Sequence, residues 1–208
     1  MTGAITSTGG TVNNITGSAS LTNTSGTTTL SGTNGYTGAT TVNGGTLTAG
    51  GTNAFSANSS TTVNTGGTLS LGGFAQGINT VSLAGGTLTN GSLTGAITST
   101  GGAVNGINGS ASLTNTSGTT TLSGTNGYTG ATTVNGGTLT ASAANAFSTN
   151  SATTVNAGGT LNLGGLAQGI NAVSLAGGTL KNGSLTGVIT STGGAVNGIN
   201  GSASLTNT

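Results

Sequence analysis

The sequence predicts an all-β protein, a parallel β-helix (β-solenoid) wound about five turns to each 92-residue repeat. Three observations lead there. First, the chain repeats itself: Thr2-Gly-Ala-Ile-Thr6 returns as Thr94-Gly-Ala-Ile-Thr98 and again as Thr186-Gly-Val-Ile-Thr190, at offsets of 92. Second, short segments such as 46–48 and 68–71 alternate Leu with Thr or Ser, the inside/outside pattern of a strand. Third, Gly-Gly pairs at 44–45, 66–67, 85–86 and 101–102 mark sharp bends that need positive φ, and no Pro removes a donor from a ladder.

The repeat comes first because its period decides the architecture. Copies 2–93 and 94–185 differ at 13 positions, and a third copy runs over 186–208, so residues 1–208 read as a single solenoid segment. A 92-residue period is too long for one solenoid turn. Inside it, Leu47, Leu69, Leu88, Val104, Leu122 and Leu139 follow one another at spacings of 22, 19, 16, 18 and 17 residues. That divides the period into five turns of about eighteen residues; four turns of about 23 is the other division. The six residues are expected to stack in one buried row. A single turn cannot bury its inward residues from both sides, so stacking closes the core and pairs each strand with the turns on either side. At ~4.8 Å per strand spacing, about eleven turns make a rod on the order of 50 Å long.

Composition removes whole classes of function. Lys181 is the only charged side chain, and Asp, Glu, His and Cys are absent. One cation cannot neutralise a run of phosphates, so nucleic acid is not an expected partner. General acid–base catalysis needs a titratable group at the substrate, and only Lys181, Tyr36 and Tyr128 are available. Zinc needs Cys or His, and calcium in solenoid repeats needs carboxylates. The expectation is a non-enzyme with no catalytic, metal or cofactor residue, no cofactor, and no identified ligand-binding residue. Stability must come from packing and hydrogen bonds, because no disulfide can form. Met1-Thr-Gly-Ala lacks the basic start and apolar run of a signal peptide, and no stretch reaches transmembrane length. The chain reads as a segment of something longer.

Residues 30–47, Leu-Ser-Gly-Thr-Asn-Gly-Tyr-Thr-Gly-Ala-Thr-Thr-Val-Asn-Gly-Gly-Thr-Leu, recur unchanged at 122–139. This stretch resembles the autotransporter-associated β-strand repeat, also called the passenger-associated transport repeat. The pattern L-x-G-x-N-x-Y-x-G-x-T-x-[VI]-x-x-G-x-L is carried by Leu30, Gly32, Asn34, Tyr36, Gly38, Thr40, Val42, Gly45 and Leu47. Gly35 departs from the commoner Thr. The resemblance implies a bacterial type V secreted passenger, extracellular or on the cell surface, built as a right-handed β-helix; the usual hand of parallel crossovers agrees. The translocator barrel of such proteins is not among these residues.

Four sets of residues are candidates for contact with a ligand. Asn43, Asn64, Asn135 and Asn156 precede turns and form either a binding row or an asparagine ladder between turns. Phe55, Phe74, Phe147, Tyr36 and Tyr128 form either a carbohydrate-stacking platform or plugs for the core, with the two Tyr expected to be the more exposed. Phe74 becomes Leu166 in the second copy, which keeps bulk and loses the ring. Thr46/Thr48, Thr87/Thr89 and Thr138/Thr140 form outward Thr-x-Thr units similar to the ice-binding faces of some antifreeze proteins. That array degrades to Thr160/Asn162 and Thr179/Lys181, and unequal turn lengths argue against a lattice match. Asn-x-Ser/Thr triplets such as Asn90-Gly-Ser92 carry little information in a bacterial protein. Residues 48–62 hold five of the 13 substitutions and are expected to protrude as a loop. The functional expectation is a structural stalk or fibre segment that presents adhesive or effector modules. Its partners are copies of itself and a host surface or matrix. The alternative is a binding module, an adhesin shaft with weak carbohydrate contacts or an ice-binding Thr-x-Thr face.

Overall fold

The computed structural model describes residues 2–208. It is all-β, and no helix occurs among the described residues. Strands pair in parallel, each with a strand one coil away, and the coils stack into a β-solenoid of about eleven turns.

One wall of the solenoid stacks Ala4–Ser7, Ser20–Asn23, Thr40–Val42, Ser60–Asn64 and the start of Ala75–Asn108. The registers Ala4–Ser20, Leu21–Thr40, Thr40–Thr61 and Thr61–Val81 advance the chain by 16, 19, 21 and 20 residues. A second wall stacks Gly10–Asn13, Thr27–Ser31, Gly45–Ala49 and Gly67–Ser70 on a later part of Ala75–Asn108. A third side carries the short pair Thr16–Gly17 and Gly35–Tyr36 and the corners around it. The same arrangement returns in the second copy, from Ser112–Asn115 to Ala167–Asn200.

Alternation decides which side chains go in. In Gly67–Ser70 the Leu69 side chain is buried while Thr68 and Ser70 stay half-buried outside, and Thr40–Val42 shows the same order. The core is a narrow column of Leu, Val, Ile and Ala with Tyr36, Tyr128, Phe55 and Phe147 at its corners. Leu47, Leu69, Leu88, Val104, Leu122 and Leu139 are all fully buried. Leu47, Leu69 and Leu88 stand in register, and so do Val104 and Leu122. The single row expected of all six breaks at the next step: Leu139 sits opposite Thr120, and Leu122 sits opposite Ala141. The shift is two residues, so inward residues stay inward. It is tolerated because Thr120 is buried with its hydroxyl bonded to Asn115 and Ser99.

The bends use glycine where a side chain has no room. Gly45 has φ of +65°, and a Cβ there would lie 2.1 Å from the Gly26 carbonyl oxygen of the coil before. One member of the pairs at 44–45, 66–67 and 85–86 has positive φ, as the bends require. Asn serves at other left-handed positions. Asn14 has φ of +54°, and its counterpart in the second copy, Gly106, has φ of +65°.

Candidate functional site

The repeated Tyr stretch carries buried polar side chains at Asn34, Tyr36 and Thr40, so it is the natural place to look for a site. Each of its marked residues has a structural task. Leu30, Val42 and Leu47 fill the core. Gly38 lies against the coil before it, where a Cβ would meet the Ala19 carbonyl oxygen at 2.3 Å.

Asn34 is buried and joins three consecutive coils. Its Oδ1 accepts the Ile15 N–H at 2.7 Å, and its Nδ2 donates to the Ala54 carbonyl at 2.7 Å. Asn126 repeats this with Ile107 at 2.9 Å and Ala146 at 2.8 Å. Gln76 makes the next clamp: its Oε1 accepts the Phe55 N–H at 3.1 Å and its Nε2 donates to the Gly51 carbonyl at 2.7 Å. Gln168 does the same with the Ala146 N–H and the Ala143 carbonyl. Sequence reasoning assigned Gln76 and Gln168 no role. The signal was available, because they are the only two Gln in the chain and occupy equivalent places.

Tyr36 and Tyr128 are fully buried, which corrects the expectation that they would be the exposed aromatic residues. The reason is a polar pocket for the phenol. The Tyr36 and Thr40 hydroxyls lie 2.6 Å apart, and Thr40 in turn meets Ser59 at 3.0 Å. Tyr128, Thr132 and Ser151 repeat the chain at 2.9 Å and 2.9 Å. Burial raises both phenol pKa values, and the Thr hydroxyl bond only partly offsets it. Tyr128 is pushed up to about 12. A phenol held neutral and sealed from solvent cannot serve as a base or stack on a sugar.

Phe55 and Phe147 are buried plugs, whereas Phe74 is 39% exposed. Exposure explains why Leu166 can replace Phe74. The stretch expected to protrude at 48–62 instead folds inward in its middle. Ala54, Phe55, Ser56 and Ser59 are buried, with Ser56 donating to the Tyr36 carbonyl at 2.6 Å. The substituted residues 50, 51, 52, 57 and 60 lie at its half-buried or exposed places.

Asn64 Nδ2 donates to Asn43 Oδ1 at 2.7 Å, and Asn156 donates to Asn135 in the same way at 2.7 Å. These residues are therefore a ladder of two rungs in each copy. A further buried cluster joins Ser7, Thr28 and Asn23, with Asn23 Nδ2 donating to the Gly44 carbonyl at 2.7 Å. No buried side-chain nitrogen or oxygen among the described residues lacks a partner. A shallow groove of about 310 Å³ is lined by Thr149, Gly169, Ile170, Asn171, Thr186 and Gly187, none of them charged. No helix among the described residues is long and apolar enough to cross a membrane.

The arrangement locks coils to coils through buried side-chain hydrogen bonds. Residues 25–49 and 117–141 match the family of the passenger-associated-transport-repeat, in agreement with the resemblance carried by 30–47 and 122–139. No curated protein and no solved structure matches the chain.

Proposed function

From a β-solenoid that carries two passenger-associated transport repeats, the fold and motif of an autotransporter passenger segment, we propose a passive structural role. The segment is a stiff stalk on the bacterial surface that holds adhesive or effector modules away from the cell. One observation carries this reading. The motif's polar residues Asn34, Tyr36 and Thr40 are buried and bonded to neighbouring coils rather than offered to solvent. A motif used this way builds length and rigidity.

The segment works without catalysis. Its titratable side chains are two sealed phenols and Lys181, and a screen on pectin-like and other polysaccharides is expected to show no turnover. It also associates with copies of itself. A net charge of +1 gives little repulsion between copies. Light scattering is expected to show concentration-dependent association; a monomer at every concentration excludes it. The stalk itself is tested by displaying an epitope-tagged passenger on cells with one, two or four copies of 94–185. Tag height, read by electron microscopy, should grow linearly with copy number. A height independent of copy number overturns the reading.

A further inference from the structure

One corner of each repeat carries a buried polar triad that packing does not require. Ser99, Asn115 and Thr120 are fully buried. The Ser99 and Thr120 hydroxyls lie 2.6 Å apart, Thr120 donates to Asn115 Oδ1, and Asn115 Nδ2 donates to the Gly136 carbonyl at 2.6 Å. Three successive coils are joined in this way. Ser7, Asn23, Thr28 and Gly44 make the same arrangement in the first copy. Yet apolar residues serve in the same column of the first wall. Asn115 stands in register with Val134, Val134 with Val155, and Val155 with Leu175, all of them buried. A polar group buried where Val would pack adds little net stability over the apolar one; what it can select is register.

The triad sits where the coil widens. On the first wall Ser99 faces Asn115, a step of 16 residues. Past the corner, on the second wall, Gly102 faces Thr120 and Val104 faces Leu122, a step of 18. The first copy makes the same change, from Ser7 opposite Asn23 to Gly10 opposite Thr28. Two extra residues enter the coil at this corner, and apolar packing does not fix that number. With the step kept at 16, Val104 would face Thr120 and Ala103 would face Thr119. Inward residues would stay inward, because a shift of two preserves the faces. The triad is what the shorter step loses. Ser99 and Asn115 keep their places on the first wall, while Thr120 moves about 6.6 Å along its strand, beyond hydrogen-bond reach of both.

We propose that the Ser99–Asn115–Thr120 triad is the register key of the repeat: it holds Thr120 at the corner, admits the two extra residues, and so sets which residues face each other on the second wall. The slipped register leaves its hydroxyls and amide buried without one another, which is the cost that excludes it. One choice is passed on, because later coils stack on the strand that the triad places. Leu139 meets Thr120, and Leu161 meets Leu139. The inference concerns how near-identical coils find one order. It is independent of the stalk role, which stands if the key fails.

The test reads register by NMR on the whole chain. Facing residues on neighbouring coils lie ~4.8 Å apart, whereas residues two out of step lie roughly 8 Å apart, outside the reach of a backbone nuclear Overhauser contact. The parent should show contacts of Ala103 with Thr121 and none with Thr119. Ser99→Ala with Asn115→Val and Thr120→Val removes every bond of the triad and keeps strand formers at the last two places. This variant should stay folded by circular dichroism, and about a tenth or more of its molecules should show Ala103–Thr119 contacts. Thr114→Val with Thr133→Val, on the outer face of the first wall, should keep the parent's contacts. If the triple variant is unfolded, Thr120→Val alone takes its place with the same expectation, since it breaks both hydroxyl bonds at nearly unchanged shape. A folded variant that keeps only the Ala103–Thr121 contacts overturns the proposal. Unfolding of both variants also overturns it, because the triad would then be a requirement of stability.

Discussion

Tyr128 ties the repeated motif to a measurable property. Burial favours the neutral form of its phenol and pushes the pKa up to about 12, against the opposing effect of the bond to Thr132. Below pH 10, phenols of the folded and unfolded chain are both protonated and contribute no pH dependence. Above it the unfolded chain ionises first, so stability is lost as pH rises toward 12, at most by about 1.4 kcal/mol per pH unit for each phenol. With no carboxylate or His, melting temperature should be flat from mildly acid pH to about 10 and then fall. Tyr128→Phe should cost about 1 kcal/mol at neutral pH and weaken the alkaline loss. Thermal melts from pH 5 to 12 check both. Asn126→Ala should cost more, on the order of 2–4 kcal/mol, because it strands the Ile107 N–H and the Ala146 carbonyl in the core.

Within an element, the cost of a change depends on which face of the strand it touches. In Thr119–Ser123, Leu122 is fully buried between Val104 and Ala141. Leu122→Asp puts an unpaired charge there, and the cooperative melt should be lost or lowered by several kcal/mol of stability. Thr121 in the same strand is half-buried and outward, and Thr121→Asp should change stability by less than about 1 kcal/mol. Denaturant titrations of the two variants compare them directly. Gly130→Ala tests the corner: its Cβ would sit 2.4 Å from the Ala111 carbonyl oxygen, so the coils must separate. A melt indistinguishable from the parent would mean the corner is looser than described.

At the scale of the molecule, each coil touches mainly its neighbours, so stability should add coil by coil rather than arise from one centre. A chain with an extra copy of 94–185 should melt at a higher temperature, and native-state hydrogen exchange should be slowest at the middle coils. Every buried polar side-chain atom among the described residues has a partner, so the rod should resist proteases, which cut where backbone opens.

The amino-acid sequence alone shows the fold class, the 92-residue repeat and the inward Leu and Val positions, because alternation and glycine bends are local signals that survive in any coil. It also shows what the chain lacks, since missing residue types cannot be supplied by folding. Which residues face each other across coils was decided only by the tertiary structure. Leu122 and Leu139 look like successive members of one row, but the register sets Leu139 beside Thr120. Tyr36 looks like a surface aromatic residue, but Thr40 and Ser59, one in its own coil and one in the next, make a buried place for its hydroxyl. Gln76 and Asn34 became clamps only when coils 20 or more residues apart came into contact. The pairing of Thr6, Thr22, Thr41 and Thr62 across the first wall is invisible along the chain because their steps of 16, 19 and 21 residues are unequal. Parallel pairing fixes the register within each wall and lets the corners absorb the differences, and no local pattern in the sequence encodes that division.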